Sequence, residues 1–299
     1  MRDRYTAVDQ IVISEEFSAV QVCQVLGVSR SGYAAWCGEH ATRREQDDAQ
    51  LAPIIEEVFW QHRRRYGARR IAVELNRRDL ACGVARVARL MKTRGLRAIQ
   101  PKSFQPKTTN SAHRLGYNEN LLAAAEFPES INQVWVADLT YIPLRTRRFG
   151  YLSLLLDLCS RRIVGWEYGT TMEDEHSIAA LKRAIKERQP QWSLVHHSDR
   201  GSQYASKQYR AVLRRARMRQ SMSAAGNCYD NAFMESCFGT LKTELQLVDY
   251  ADDAMAQREL TEYLHYYNQQ RRHSGIGYDT PAEFERHQAS LTMSKTLPK

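Results

Sequence analysis

Three carboxylates in this 299-residue chain stand where a charge needs a reason. Asp138 interrupts the apolar run Val134-Trp135-Val136-Ala137-Asp138-Leu139-Thr140-Tyr141-Ile142. That run reads as a strand, where an unpaired charge is costly. Asp199 follows a second strand-like run, Ser193-Leu194-Val195-His196-His197. Glu235 lies a turn or more into a helix expected over about 229–245. Residues 139–198, 60 in number, separate the first two acids, and residues 200–234, 35 in number, the last two. Clustered carboxylate oxygens suit hard divalent cations, and Mg²⁺ binds through a few carboxylates while keeping water and substrate oxygens. Two such ions roughly 3.5–4 Å apart serve phosphodiester chemistry. Asp138 is expected to bridge both ions, with Asp199 and Glu235 each holding one. Taken singly, each acid reads better as a surface charge or a helix cap.

The elements around these acids change character near residue 131. Before it the periodicity is helical. Ser18 is a fitting N-cap for apolar Val22, Val25 and Leu26, Gly27 breaks that helix, and Val28-Ser29-Arg30-Ser31 caps a second one ending near Trp36. Helix, glycine turn and capped helix make a helix-turn-helix pattern. Further helices are expected at 45–60, 68–78 and 84–94. Residues 100–128 have no sustained period and read as a linker. Beyond 131, strands are expected at 134–142, 151–158, 162–166, 193–197 and 219–223. Helices are expected at 173–188, 205–217, 229–245 and 252–268, followed by an irregular tail. The nearly continuous Leu152, Leu154, Leu155 and Leu156 suit a strand covered on both faces. The expected fold is α/β, a mixed five-stranded sheet with flanking helices, preceded by all-α helix-turn-helix domains. The corresponding division is 1–60, 61–115, a linker at 116–130, a catalytic core at 131–250, and a C-terminal helix and tail at 251–299.

The net charge of +9 is concentrated. Residues 61–115 carry 15 Lys and Arg against 2 Asp and Glu, while residues 1–60 are net acidic and 116–299 nearly balanced. A polyanion is the simplest partner for such a block, and nucleic acid is the commonest polyanion. Arg63, Arg64, Arg65, Arg69, Arg70, Arg86 and Arg89 are the candidate DNA contacts. The six cysteines show no Cys-x-x-Cys spacing, which argues against a structural zinc site and for reduced thiols. His196 and His197 are neighbours on a strand and point to opposite faces, which argues against a shared metal. Trp135 and Trp166 read as core residues. No apolar run reaches membrane-spanning length and no signal-peptide pattern follows Met1, so the expected location is cytoplasmic.

Taken together, Asp138-x-Thr140-x-Ile142, His197-Ser198-Asp199-x-Gly201-x-Gln203-Tyr204 and Asp230-Asn231-Ala232-x-x-Glu235-Ser236-x-x-x-x-Leu241-Lys242 resemble the integrase catalytic core of DDE transposases. The match is close to the OrfB product of insertion-sequence family three, and the 35-residue spacing is a hallmark of that group. Leu26 to Tyr33 is similar to the family's first helix-turn-helix. Tyr66-Gly67 through Ile71, with Arg89-Leu90-Met91 and Gly95-Leu96, is similar to its second. Tyr267-Asn268, Arg271-Arg272-His273-Ser274 and Pro281 resemble its C-terminal signature.

The resemblance implies a ribonuclease-H-like core with Asp138, Asp199 and Glu235 as catalytic and metal-holding acids. It favours Asp138 over Asp157, the rival carboxylate of the second strand. It also implies two Mg²⁺ ions, with Mn²⁺ able to substitute. Lys242 is expected to contact the DNA end. Asn231 shares a helix face with Glu235, which reads equally as support of the site or as packing at the helix start. The implied activity is metal-dependent cleavage of element DNA ends and strand transfer of the 3′-hydroxyl, through a circular DNA intermediate. The implied partners are double-stranded DNA with terminal inverted repeats, other copies of the chain on that DNA, and the product of an upstream reading frame, fused or separate. A ribonuclease-H-like nuclease without strand transfer and a catalytically silent DNA-binding regulator are the alternatives, and the intact acids argue against the second.

Overall fold

The computed structural model describes the chain except residues 1, 15–16, 39–42, 101–115, 124, 146–147, 192, 224–231, 247–249 and 297–299. It divides into two compact units, residues 1–97 and 98–299.

The first unit is entirely helical. Helices α1 (Arg2–Ile13), α2 (Ala19–Val25) and α3 (Arg30–Cys37) enclose Val8, Val22, Cys23, Val28 and Tyr33. The helix-turn-helix follows its sequence signals. Ser18 and Gln21 form a reciprocal capping box on α2, and the Ser29 hydroxyl accepts the Gly32 N–H on α3. Gly27 sits between them at φ +63°, the left-handed position that ends a helix and that side chains resist. Helix α1 has no counterpart among the expected elements; it has no N-cap residue ahead of it to announce it, and its apolar Ile11 and Ile13 are exposed. Helices α4 (Arg43–Gln61), α5 (Ala68–Arg77) and α6 (Val84–Thr93) pack on one another, so α4 goes with the basic segment that follows it.

The second unit is built on strands β1 (Val134–Pro143), β2 (Phe149–Asp157), β3 (Ile163–Gly169), β4 (Val195–Ser198) and β5 (Arg219–Met222), in the spatial order β3-β2-β1-β4-β5. The β3-β2-β1 pairs are antiparallel, while β4 runs parallel to β1 and β5 parallel to β4. Side chains alternate as strand geometry requires. Val134, Val136 and Ile142 face a core with α10 (Ala232–Glu244) and α11 (Asp253–Gln269). Trp135 and Ala137 face another with α7 (Asp174–Arg188), α8 (Ser202–Ala205) and α9 (Lys207–Arg215). Leu152, Leu154, Leu155 and Leu156 are divided between the two cores and all are buried. This is the ribonuclease-H-like arrangement expected from the sequence.

Both borders of the sheet carry attachments. The Asn268 amide of α11 accepts the Ile163 N–H and donates to the Ile163 carbonyl of β3, each at 2.9 Å. Along β5, the Met222 N–H donates to the Glu119 carbonyl and Asn118 Nδ2 donates to Gln220 Oε1. Two sequence expectations need correction. The helix foreseen at 205–217 is two helices, because Ser206 is extended and its hydroxyl accepts the Tyr209 N–H to start α9. The irregular tail is instead a 3-10 turn, Ser274–Ile276, and a helix α12, Pro281–Thr296. Thr280 and Glu283 form a capping box at its start, and Pro281 occupies the first helical position that tolerates a missing N–H.

His196 and His197 of β4 do point apart. His196 Nε2 shares a 2.8 Å hydrogen bond with the Tyr209 hydroxyl, while His197 Nδ1 meets the Ser221 hydroxyl at 2.8 Å on the other side. Burial, reinforced by His197, pushes His196 down from 6.5 to about 3. The folded state therefore refuses a proton that the unfolded chain accepts near pH 6.5. Stability contributed by neutral His196 is full above pH 6.5 and falls as pH drops toward 3, by about 1.4 kcal/mol per pH unit. Urea unfolding at pH 7 and pH 5 is expected to show a loss about 2 kcal/mol smaller for His196→Gln than for the wild type. Equal losses would show that His196 is not buried neutral.

Candidate active site

The register of β1 with β4 brings the first two acids together. Ala137 pairs with Ser198 across the parallel ladder, so the next residue of each strand is Asp138 and Asp199. Neighbouring strands are about 4.8 Å apart, which puts the two carboxylates side by side where β4 ends and β1 runs on. Both are partly buried. Asp138 Oδ1 accepts the Leu139 N–H at 2.7 Å, and Asp199 Oδ1 accepts the Gly201 N–H at 2.9 Å. Each backbone donor favours the charged form and limits the carboxylate's rotation.

Tyr204 of α8 lies beneath this pair, fully buried. Burial, with Asp138, Tyr209 and Asp199 adding to it, holds its phenol well above the ordinary tyrosine range. Its hydroxyl has no hydrogen-bond partner among the described residues. In the sequence Tyr204 is part of a motif and nothing there assigns it a role.

Helix α10 carries the remaining candidates. Met234, Cys237, Phe238 and Leu241 form its buried stripe against the sheet and α11. Glu235 is exposed on the first turn, and Lys242, seven residues on, lies on the same helix face and is half-buried. Burial lowers the Lys242 ammonium from its ordinary value, and the charge of Asp138 opposes that shift, so Lys242 stands within the field of Asp138. Among the described residues, no three His, Cys, Asp or Glu side chains are close enough to hold one metal ion. The structure thus brings Asp138, Asp199 and Lys242 together and does not bring Glu235 within reach of an ion shared by the two aspartates. Asn231 lies outside the described residues.

Each end of α10 is fastened. At its C-terminus, buried Glu244 receives Arg271 Nη2 at 2.8 Å and Nε at 2.9 Å, with the Tyr263 hydroxyl donating at 3.1 Å. Burial works against the Arg271 charge, and Glu244 more than restores it, leaving the guanidinium above its ordinary range. At its N-terminus, the Arg161 guanidinium lies 4.3 Å from the Phe233 ring centroid and 5.1 Å from that of Phe127. Neither fastening is legible in the sequence, because Glu244 and Arg271 lie 27 residues apart and Arg161 and Phe233 further still. The C-terminal signature now has a structural meaning. Asn268 ties α11 to β3, Arg271 anchors α10, and Arg272 pairs with Glu283 at 2.6 Å to hold the start of α12.

Asp157 is fully buried and accepts the N–H groups of Asn132, Cys159 and Ser160 at 2.6, 3.0 and 2.9 Å. It closes the turn between β2 and β3 and faces no open site. In the helical unit, Arg86 Nε and Arg89 Nη2 reach the Asp48 carboxylate of α4 at 2.7 and 2.5 Å. Hydrogen bonds from Arg89 and then Arg86 hold that carboxyl below its usual value. Arg70 lies over the Tyr66 ring, its guanidinium 5.5 Å from the centroid, and Arg65 is partly buried. Arg63, Arg64 and Arg69 are exposed.

Comparison with known proteins gives this arrangement its family. Two Integrase core domain models match residues 128–228 and 216–281, and an HTH-like domain model matches residues 45–104, the span of α4 to α6. The insertion element IS600 uncharacterized 31 kDa protein of Shigella sonnei is 42% identical over 265 residues, covering 88% of this chain and 97% of that protein. Transposase InsF for insertion sequence IS3A of Escherichia coli (strain K12) is 37% identical over 276 residues, covering 90% of this chain and 94% of InsF. Among solved structures, the HTLV-2 integrase catalytic core domain in complex with magnesium (dimeric form) aligns with a TM-score of 0.42 at 17% identity, over 52% of this chain and 97% of that one. With most of its length shared at such identity, the chain belongs to the IS3 family of insertion-sequence transposases.

Proposed function

We propose that this transposase cuts a phosphodiester at each end of its element and joins the freed 3′-hydroxyl to a second strand. The observation that carries the reading is the β1–β4 register, which sets Asp138 of β1 beside Asp199, the residue after β4. Hydrolysis at the element end would leave a 3′-hydroxyl. That oxygen would then attack another phosphodiester, one P–O bond forming as another breaks, with no covalent link to the protein. Glu235 is the proposed third acid, brought in from α10 when DNA is engaged.

The donor set fits hard divalent ions. Asp138 and Asp199 offer carboxylate oxygens, the His196 and His197 imidazoles are engaged with Tyr209 and Ser221, and the orphan Tyr204 hydroxyl lies close by. Mg²⁺ or Mn²⁺, two ions in all, would be held by Asp138, Asp199 and Glu235. Such ions supply a nucleophile at neutral pH and offset charge on the leaving oxygen. The remaining work belongs to the chain. The Leu139 and Gly201 N–H groups orient the two aspartates, and Lys242 places a cation beside Asp138 for a phosphate of the DNA end.

In the helical unit, Arg63, Arg64 and Arg69, with Arg65 and Arg70, are the proposed phosphate contacts to terminal inverted repeats. Arg86 and Arg89 are tied to Asp48 and serve first to hold α6 on α4. Assembly of several copies on the DNA, and cooperation with an upstream-frame product, belong to the same reading. So does a cytoplasmic site of action; no helix among the described residues is long and apolar enough to cross a membrane.

Asp138→Asn, Asp199→Asn and Glu235→Gln should each abolish cleavage and joining of end DNA while leaving duplex binding intact, and pairs should do no further damage. Near-normal cleavage by Glu235→Gln would remove that residue from the site. Cleavage without joining by the wild type would favour a nuclease instead. The two groups of arginines should separate. Changing Arg63, Arg64 and Arg69 to Gln is expected to flatten the salt dependence of duplex binding, by about 0.9 in log–log slope for each phosphate no longer neutralised. Arg86→Gln is expected to lower the melting temperature of the helical unit, and an unchanged melting curve would return Arg86 to the DNA-binding surface.

A further inference from the structure

A second cationic surface lies on the catalytic unit. From Lys207 to Arg219 the chain has six Lys and Arg and no Asp or Glu. Tyr209 and Leu213 turn inward to the core, which leaves Lys207, Arg210 and Arg214 at spacings of three and four on one face of α9. Lys207 and Arg214 are exposed, and Arg210 is partly so. These three side chains line a groove of about 480 Å³, completed by Asn118, Leu213, Met218 and Gln220. Arg210 donates from Nη2 to the Gly116 carbonyl, while its Nε has no acceptor among the described residues. No carboxylate among the described residues pairs with Lys207, Arg210 or Arg214. Packing explains Tyr209 and Leu213 but gives no reason for three unneutralised cations around one groove.

One contact links the groove wall to the active-site segment. Arg200, the residue after Asp199, lies 4.6 Å from the Tyr117 ring centroid, and Tyr117 adjoins Asn118 in the groove wall. Lys207 to Arg214 spans about 10 Å of helix, close to three nucleotide rises along a strand. We propose that this groove binds the sugar-phosphate backbone of DNA extending away from the reacting phosphodiester, with Lys207, Arg210 and Arg214 on phosphates and the Asn118 and Gln220 amides beside them. This deepens the reading of the chain as a DNA-cutting and DNA-joining enzyme and rests on it.

Amine acylation of the full chain, read by mass spectrometry with and without a 40-base-pair duplex, tests the proposal. Lys207 labelling is expected to fall several-fold with duplex and to stay unchanged with inorganic phosphate at equal ionic strength. Lys182 and Lys186, exposed on α7, serve as internal references. Protection of Lys92 in the helical unit without protection of Lys207 would overturn the groove alone. Protection of neither lysine, with no duplex bound, would overturn the DNA reading as well. Protection of Lys207 by phosphate alone would show a small-anion site in place of a backbone track. As a second measure, Lys207→Gln/Arg210→Gln/Arg214→Gln should flatten the salt slope of duplex binding by roughly 2–3, about 0.9 for each phosphate released. Should that variant fail to fold, exposed Arg214→Gln alone should still flatten it by about 0.9, and an unchanged slope would count against the groove.

Discussion

Everything in the catalytic unit follows from holding two negative charges side by side. Asp138 and Asp199 repel each other, and the parallel pairing of β1 with β4 fixes them together all the same. Neither strand can slip by one residue, since that would turn Val134 and Val136 out of one core and Trp135 and Ala137 out of the other. The apolar layers on both faces are thus what keeps the acids in register. Backbone N–H groups then take part of the charge, and Lys242 takes more from α10.

The sequence is most legible where a local rule decides. Caps at Ser18 and Ser29, the breaking Gly27, and the doubly covered leucine strand are each set by near neighbours. Asp138 and Asp199 stand out because a charge in or just after an apolar strand has few structural excuses. The tail reads as irregular although Thr280 and Glu283 spell a capping box, because α12 lacks a clear apolar stripe to announce it. The long-range pairs are illegible for a different reason. Nothing near Glu244 marks Arg271 as its partner, and nothing near Phe233 marks Arg161. The basic face of α9 is hidden by averaging, since acidic residues elsewhere in 116–299 cancel its charge in a segment sum.

The helical unit shows how charge counting treats unlike arginines alike. Seven arginines are equivalent as charges, and the fold divides them. Arg86 and Arg89 commit their hydrogen bonds to Asp48, and Arg70 rests on an aromatic ring, while Arg63, Arg64 and Arg69 reach solvent. A cation already satisfied by a carboxylate has less to gain from a phosphate, because binding must first break that pair.

The attachments at the two borders of the sheet bear on how copies of the chain can meet. An open strand offers its row of N–H and C=O groups to any other strand that comes alongside. Here an incoming strand would meet the Asn268 amide already seated on Ile163 at one border, and the backbone of Glu119 already bonded to Met222 at the other. A second copy therefore cannot extend the sheet at these positions. At these two positions the edge groups are already spoken for within the chain, and the sheet that carries the two aspartates is closed there.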